Sequence, residues 1–115
     1  MKNYEEKQSM QDNFLQFLAL TKRAGKLIEG YNKCEEILKN KRAYVCIISD
    51  DISANSYEKF ERLCANAGVP IIRNYGKETL ANIIGRKEIN ILCIIDRNMG
   101  NRLIEIFNAN QNNRG

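Results

Sequence analysis

Apolar residues in the first part of the chain recur every three or four positions, which is the spacing of an amphipathic helix. The first such run predicts a helix that begins at Asp12 or Asn13, either of which could cap it, and that ends at Gly25. A short apolar step, Leu27-Ile28, follows. A second helix is then predicted over residues 31–40, with three inward-facing side chains: Cys34, Ile37 and Leu38.

Two later runs are apolar almost throughout, which is typical of strands covered on both faces. They span residues 43–48 and 89–95, and a shorter strand is predicted at Val69–Ile72. A helix from about Asn55, with Glu58 completing a capping box, ends at Gly68. Further helices are predicted at 76–84 and around Met99, Leu103, Ile106 and Phe107. This alternation predicts an α/β fold, a three-layer α/β/α sandwich around a small mixed four-stranded sheet.

The chain has 115 residues, which is room for one domain. We expect a flexible N-terminus at 1–11, a single domain at 12–107, and a flexible, Asn-rich tail at 108–115. No apolar run is long enough to cross a bilayer or to serve as a secretory signal. The four cysteines form no Cys-x-x-Cys pair, so buried free thiols in a reducing cytoplasm are expected.

The sequence contains no histidine, and this removes several kinds of catalytic site. A Ser-His-Asp triad, a Cys-His dyad and a histidine-ligated metal are all excluded. Catalysis on this chain would need carboxylates, lysines or a borrowed cofactor. We expect a protein that is not an enzyme and that holds neither a cofactor nor a metal.

The net charge of +4 is concentrated in one segment. Residues 22–42 carry seven basic and three acidic residues, whereas the rest of the chain carries eleven of each. This asymmetry is expected of a surface that attracts an anionic partner such as RNA, although a solvated basic helix face would show the same pattern.

The basic segment contains a first candidate site, the hinge from Gly25-Lys26 to Gly30. The two glycines are spaced as in a phosphate loop, but Tyr31-Asn32 stands where that motif needs Lys and Ser or Thr. What remains is a glycine leading into a helix N-terminus, where unpaired N–H groups favour a phosphate. Asn32 and Lys33 in the first turn could contact base edges. A simple turn at Gly30 with Asn32 as a cap is the structural alternative.

A second candidate consists of carboxylates that follow predicted strands. Asp50 and Asp51 follow one strand and Asp96 follows another. Such carboxylates could hold magnesium, as in a phospho-acceptor or hydrolase. They could equally start turns and cap the next helices.

A third candidate is the predicted loop from Asp96 to Gly100. Arg97, Asn98 and Met99 place a cation, an amide and an apolar side chain together. Such a loop could pack on an unstacked RNA base. Met99 could instead belong to the core of the closing helix.

Several segments together resemble a known family. The segment from Leu20 to Leu27, then Gly30, the basic helix and Ile47-Ile48-Ser49-Asp50-Asp51-Ile52-Ser53 are similar to the bacterial YlxQ-type ribosomal proteins. Those proteins belong to the kink-turn-binding ribosomal-protein family. The segments Val69-Pro70-Ile71-Ile72 and Lys77-Glu78-Thr79-Leu80 and the strand ending at Asp96 continue the match in order.

The resemblance implies a non-catalytic, cytoplasmic, monomeric protein that binds kink-turn RNA, including ribosomal RNA. A family signature Gly-x-Asn-Glu-x-x-Lys enters such RNA at its sheared G·A pairs, and a second loop covers a flipped-out base. Gly30 and Asn32 match the signature, with Tyr31 between them, while Lys33 and Glu36 exchange its two charges. Lys26 corresponds to a lysine near the RNA backbone, and Arg97, Asn98 and Met99 lie where the second loop is expected.

Overall fold

A computed structural model describes residues 12–112. Five helices and four strands alternate along the chain. The helices are α1 (Asn13–Arg23), α2 (Tyr31–Lys39), α3 (Ala54–Ala67), α4 (Lys77–Ile84) and α5 (Arg97–Asn112). The strands are β1 (Leu27–Glu29), β2 (Val45–Ile48), β3 (Ile71–Ile72) and β4 (Ile91–Ile94).

The strands form one mixed sheet in the order β1-β4-β2-β3. The central strand β4 is antiparallel to both β1 and β2, whereas β2 and β3 are parallel. The sheet therefore has two ends. We call them the Ile91 end, where β4 begins and β1 and β2 finish, and the Ile94 end, where β4 finishes and β1 and β2 begin.

Helices cover both faces of this sheet, which confirms the predicted three-layer α/β/α sandwich. Side chains of the central strands alternate between the faces because successive strand residues point to opposite sides. Val45, Ile47, Leu92 and Ile94 pack with α1, α4 and α5, while Cys46, Ile48, Ile91 and Cys93 pack with α2 and α3. Since neither face is left to solvent, both strands are apolar throughout.

All four cysteines are free and buried, as predicted. They belong to the core between the sheet and α2 and α3, where Cys46 and Cys93 lie directly opposite each other on β2 and β4. The neighbouring Cys93 thiol, together with burial, raises the pKa of Cys34 far above its ordinary value, and the Cys34 Sγ donates to the carbonyls of Ile28 and Ile91. This thiol therefore stays protonated and packs as a small apolar side chain.

Several predicted boundaries differ from the structure. Strands β2 and β4 occupy residues 45–48 and 91–94 rather than 43–48 and 89–95. Helix α3 begins one residue earlier than expected, because the Ser53 hydroxyl, rather than Asn55, caps it by accepting a hydrogen bond from Ser56 N. Strand β3 has only two residues. Helix α5 continues to Asn112, past the expected domain end at residue 107. The predicted flexible N-terminus at 1–11, like residues 113–115 of the predicted tail, lies outside the described residues.

None of the helices within residues 12–112 is long and apolar enough to cross a membrane.

Candidate nucleic-acid interface

Helix α2 starts at the Ile91 end of the sheet through an unusual glycine. Gly30 has φ 100° and ψ 163°, a backbone region that only glycine enters readily. Its N–H donates to the carbonyl of Ile91 over 3.0 Å, and this bond anchors the turn to β4. Among residues 12–112, no side chain caps the helix. The N–H groups of its first turn are therefore available to a ligand.

The first-turn side chains of α2 face solvent. Tyr31, Asn32 and Lys33 are all exposed, and Lys33 makes no ion pair with another residue of 12–112. Glu36, one turn later, is exposed as well. The two exchanged charges are thus both open to a partner and do not neutralise each other.

Tyr31 is held in place although 40% of it is exposed. Its ring packs edge-on against the buried ring of Phe60, with 4.9 Å between the centroids. The ammonium group of Lys59 lies 4.9 Å from the Tyr31 centroid and is itself bound by Glu35 over 3.0 Å. Helix α3 therefore fixes an aromatic ring at the start of α2, where it could stack on a base.

A cleft of about 360 Å³ opens beside this helix start. Gly30 and Tyr31 form one wall, Ile52, Ser53 and Ser56 at the start of α3 form another, and the segment Glu88–Ile91 forms the third. The hydroxyl of buried Ser49 donates to the side-chain oxygen of Asn90, which fixes the third wall. The cleft thus combines apolar walls with hydroxyl and amide groups.

The segment 85–90 belongs to the site although it was not predicted from the sequence. Arg86 and Lys87 after Gly85, with Asn90 before the last strand, were the signal that could have revealed it. These residues follow the short helix α4, and only the antiparallel pairing of β1 with β4 brings them beside Gly30.

Glu29 ties this segment to the helix start. Arg86 donates to one of its carboxylate oxygens over 3.1 Å, and Lys22 donates to the other over 2.7 Å. Burial alone would raise the pKa of Glu29, but the hydrogen bonds from Lys22 and Arg86 outweigh it and hold the pKa below its ordinary value. Glu29 is therefore ionised at neutral pH, and its two ion pairs hold it in place directly before Gly30.

The other half of the predicted site lies at the opposite end of the sheet. Lys26 precedes β1 and its carbonyl accepts a hydrogen bond from Ile95 N over 3.0 Å, at the Ile94 end. Gly25 and the residues 97–99 lie at that end too. The ten predicted RNA-binding residues therefore do not form one surface, because β1 runs antiparallel to β4.

The prediction of a loop at 96–100 is also wrong, because a helix begins at Arg97. Arg97, Asn98 and Met99 form the first turn of α5, and the Asp96 carboxylate caps this helix by accepting from Met99 N over 2.9 Å. Arg97 and Asn98 are exposed, whereas Met99 is half-buried and packs on the core.

The structure also shows which cations of the basic segment 22–42 are paired with acidic side chains. Lys22 pairs with Glu29, and Lys39 pairs with Glu35 over 3.0 Å, so acids of the same segment neutralise two of its seven cations. The other five have no ion pair within residues 12–112: Arg23, Lys26, Lys33, Lys41 and Arg42. Of these, only Lys33 lies at the start of α2.

The three aspartates considered as a candidate magnesium site do not lie together, and two of them take the turn and cap roles that were the alternative. Asp50 and Asp51 follow β2 at the Ile91 end, whereas Asp96 follows β4 at the Ile94 end, and β4 alone spans about 10 Å. Asp51 accepts a hydrogen bond from Lys77 N over 2.7 Å, and Asp96 caps α5. No metal-binding group of three or more Cys, Asp or Glu side chains is present within residues 12–112.

Comparisons with known proteins agree with this architecture. The chain is 26% identical over 90 residues to the RNA-binding protein YlxQ of Bacillus subtilis (strain 168), a match that covers 78% of this chain and 90% of that protein. It superposes with a TM-score of 0.81 on the structure of a protein with unknown function from Bacillus halodurans C. That match has 21% identity and covers 84% of this chain and 98% of the other, so it shows the fold alone.

The profile of one protein family matches residues 12–104, which is nearly all of the folded part. This match begins at the cap of α1 and ends within α5, so it includes the whole sheet and both ends of it. The chain therefore belongs to the ribosomal protein L7Ae/L30e/S12e/Gadd45 family.

Proposed function

We propose that this chain is a non-catalytic RNA-binding protein that recognises a kink-turn or a similarly bent RNA through the start of α2. One observation carries the proposal: the glycine-started, uncapped helix that presents exposed Tyr31, Asn32 and Lys33 beside a cleft. The family match and the likeness to an RNA-binding protein support it.

The chemistry at this helix start suits a folded RNA. Unpaired N–H groups and the positive end of the helix dipole attract a phosphate. The Asn32 amide can donate and accept at a base edge, and Lys33 can donate to guanine O6 and N7. The family signature has an acidic residue, which is a hydrogen-bond acceptor, at the position of Lys33. We therefore propose that Lys33 contacts the guanine as a hydrogen-bond donor.

The cleft is the proposed seat of an unstacked base. Its volume of about 360 Å³ lies in the range of small-ligand pockets. Tyr31 offers a face for stacking, while Ser53, Ser56 and Asn90 offer hydrogen-bonding groups for a base edge. The segment 85–90 then takes the role predicted from the sequence for Arg97, Asn98 and Met99.

A binding comparison tests the proposal. A kink-turn RNA and a control in which the sheared G·A pairs are replaced by Watson–Crick pairs are titrated by gel shift or calorimetry. We expect tighter binding to the kink-turn and a steep loss of affinity with salt. Equal, weak binding to both RNAs would contradict it.

Ribosome association, a monomeric state and a cytoplasmic location belong to the same proposal. The family includes ribosomal proteins, which supports the first of these. Cosedimentation of the protein with ribosomal subunits and light scattering of the free protein are the measurements. A protein that stays off the subunits at low salt would contradict the ribosomal part.

A further inference from the structure

Four exposed cations that make no ion pair within residues 12–112 lie at the Ile94 end of the sheet, away from the start of α2. We define the basic surface as Lys26, Lys41, Arg42, Tyr44 and Arg97. Lys26 and Tyr44 flank the end of β4, since the Lys26 carbonyl accepts from Ile95 N over 3.0 Å and Tyr44 N donates to the Ile94 carbonyl over 2.8 Å. Lys41 and Arg42 lie in the connection that leads into Tyr44, and Arg97 follows β4.

The two ends of the sheet differ in how many of their cations are paired with acidic side chains. At the Ile91 end, Glu29, Glu88 and Glu35 bind three cations, which are Arg86, Lys77 and Lys59. Lys33 and Lys87 are exposed at that end and make no ion pair with residues of 12–112. The four cations of the basic surface are all exposed and make no ion pair with residues of 12–112. The acid nearest to them in sequence, Asp96, is engaged as the cap of α5. Four cations at the Ile94 end are therefore available to attract an anionic partner.

Tyr44 adds an aromatic face to this charge. It is 39% exposed, and the Arg97 guanidinium lies 5.8 Å from its ring centroid. A Cβ at Gly100 would lie 3.0 Å from the Tyr44 Cβ, so the absence of a side chain there lets Tyr44 pack closely on the first turn of α5. A ring held beside a guanidinium suits a nucleic-acid sugar or base.

Lys41 carries its charge at a position that favours glycine. Its φ of 57° is left-handed. Arg42 N donates to the Ile37 carbonyl and Lys41 N to the Leu38 carbonyl, which is the hydrogen-bond pattern of a glycine-terminated helix. A lysine in this conformation is strained relative to glycine, so the stability of α2 does not explain why a lysine stands there.

We propose that the basic surface binds the phosphate backbone of a second RNA segment without reading its bases. This inference rests on the proposed function, since it assumes RNA as the partner. Gly30 and Lys26 stand at opposite ends of β1, roughly 13 Å apart along the strand. One protein molecule then contacts one RNA segment at the start of α2 and another at the Ile94 end, and so holds two segments together.

Salt-dependent binding to a straight RNA duplex tests the inference, because such a duplex offers backbone but no kink-turn. The variant R42Q/R97Q removes two cations of the basic surface. The matched control K39Q/R102Q removes the same charge from exposed residues that are paired with Glu35 and Glu105. Fluorescence anisotropy between about 50 and about 200 mM salt gives the slope of log K against log salt.

We expect R42Q/R97Q to lower the magnitude of that slope by about 2, since each lost phosphate contact contributes about 0.9. The control should keep the wild-type slope within error. Equal slopes for R42Q/R97Q and K39Q/R102Q would overturn the inference. The wild type could instead bind the kink-turn RNA no more tightly than its control RNA, while the slopes of R42Q/R97Q and K39Q/R102Q still differ. That result would overturn the proposed function and leave this inference standing.

The variant Lys41→Gly separates binding from folding. Because glycine suits the left-handed position, the melting temperature should be equal to or above that of the wild type. Affinity for the straight duplex should nevertheless fall severalfold at low salt. A variant that binds as tightly as the wild type would show that Lys41 is no part of an RNA surface.

Discussion

Glu29 and Arg86 form a hydrogen-bonded ion pair of 3.1 Å that joins the last residue of β1 to the segment before β4. Lys22 binds the same carboxylate from α1. One acidic side chain therefore holds three parts of the chain around Gly30, which is the residue from which α2 and the proposed RNA contact start.

This arrangement predicts a pH dependence of stability. The pKa of Glu29 is lowered on folding, so its stabilising contribution is complete above the ordinary value of 4.5 and is lost as the pH falls through the lower, folded-state value. Glu29→Gln should lower the melting temperature at pH 7 and flatten its decline toward pH 3. The exposed pair of Arg102 with Glu105 supplies the control, Glu105→Gln, for which the wild-type pH profile is expected. Parallel profiles for all three proteins would contradict the role of Glu29.

Gly30 should tolerate substitution by alanine less well than Gly68. Its conformation is accessible only to glycine, so Gly30→Ala should cost about 1–3 kcal/mol in the free energy of unfolding, although space for a Cβ is open. Gly68, at φ 70° and ψ 32°, occupies the milder left-handed helical region, and Gly68→Ala should cost about 1 kcal/mol. Urea unfolding of both variants compares them. A cost at Gly30 no larger than that at Gly68 would count against the strained start of α2.

Lys33 and Lys39 should differ in their effects on kink-turn binding. Lys33 stands in the first turn of α2, so Lys33→Ala should weaken kink-turn binding by about 1–3 kcal/mol if it contacts a guanine. Lys39 lies at the far end of the helix and is paired with Glu35, so Lys39→Ala should weaken kink-turn binding far less. Calorimetry with the kink-turn RNA measures both. Equal small losses would leave Lys33 as one surface charge among others.

Magnesium should leave the three aspartates of the rejected site unaffected. Asp50 and Asp96 lie at opposite ends of the sheet, and Asp51 and Asp96 already accept backbone hydrogen bonds. NMR spectra of the protein during a magnesium titration should show no saturable shifts at these residues. A saturable shift at Asp50 and Asp96 together would require a different strand arrangement.

Local patterns in the sequence were sufficient for much of the fold. The apolar runs at 43–48 and 89–95 predict strands buried on both faces, and both faces of the observed strands β2 and β4 are covered by helices. Gly68 predicts the end of α3 because the left-handed turn there favours glycine. The cap of α3 was misplaced because Ser53 and Asn55 are both good caps, and only the backbone path decides between them.

The candidate site, like the fold, was predicted from local sequence only in part. The exposed start of α2 at Gly30, Asn32 and Lys33 follows from local sequence, because a glycine before an amphipathic run marks a helix start. The family resemblance placed Arg97 and Met99 in a second RNA-contacting loop, but the match of segments along the chain contains no information on strand direction. The antiparallel pairing of β1 with β4 moves them to the other end and brings Arg86 to Glu29 instead.

The sequence by itself thus determined the layers, the buried thiols and the location of the net charge within residues 22–42, since periodicity and composition are local properties. Only the tertiary structure decided which cations remain without an acidic partner and at which end of the sheet they lie. The reason is physical: ion pairs such as Arg86 with Glu29 join residues far apart in the chain, and strand pairing sets their distances.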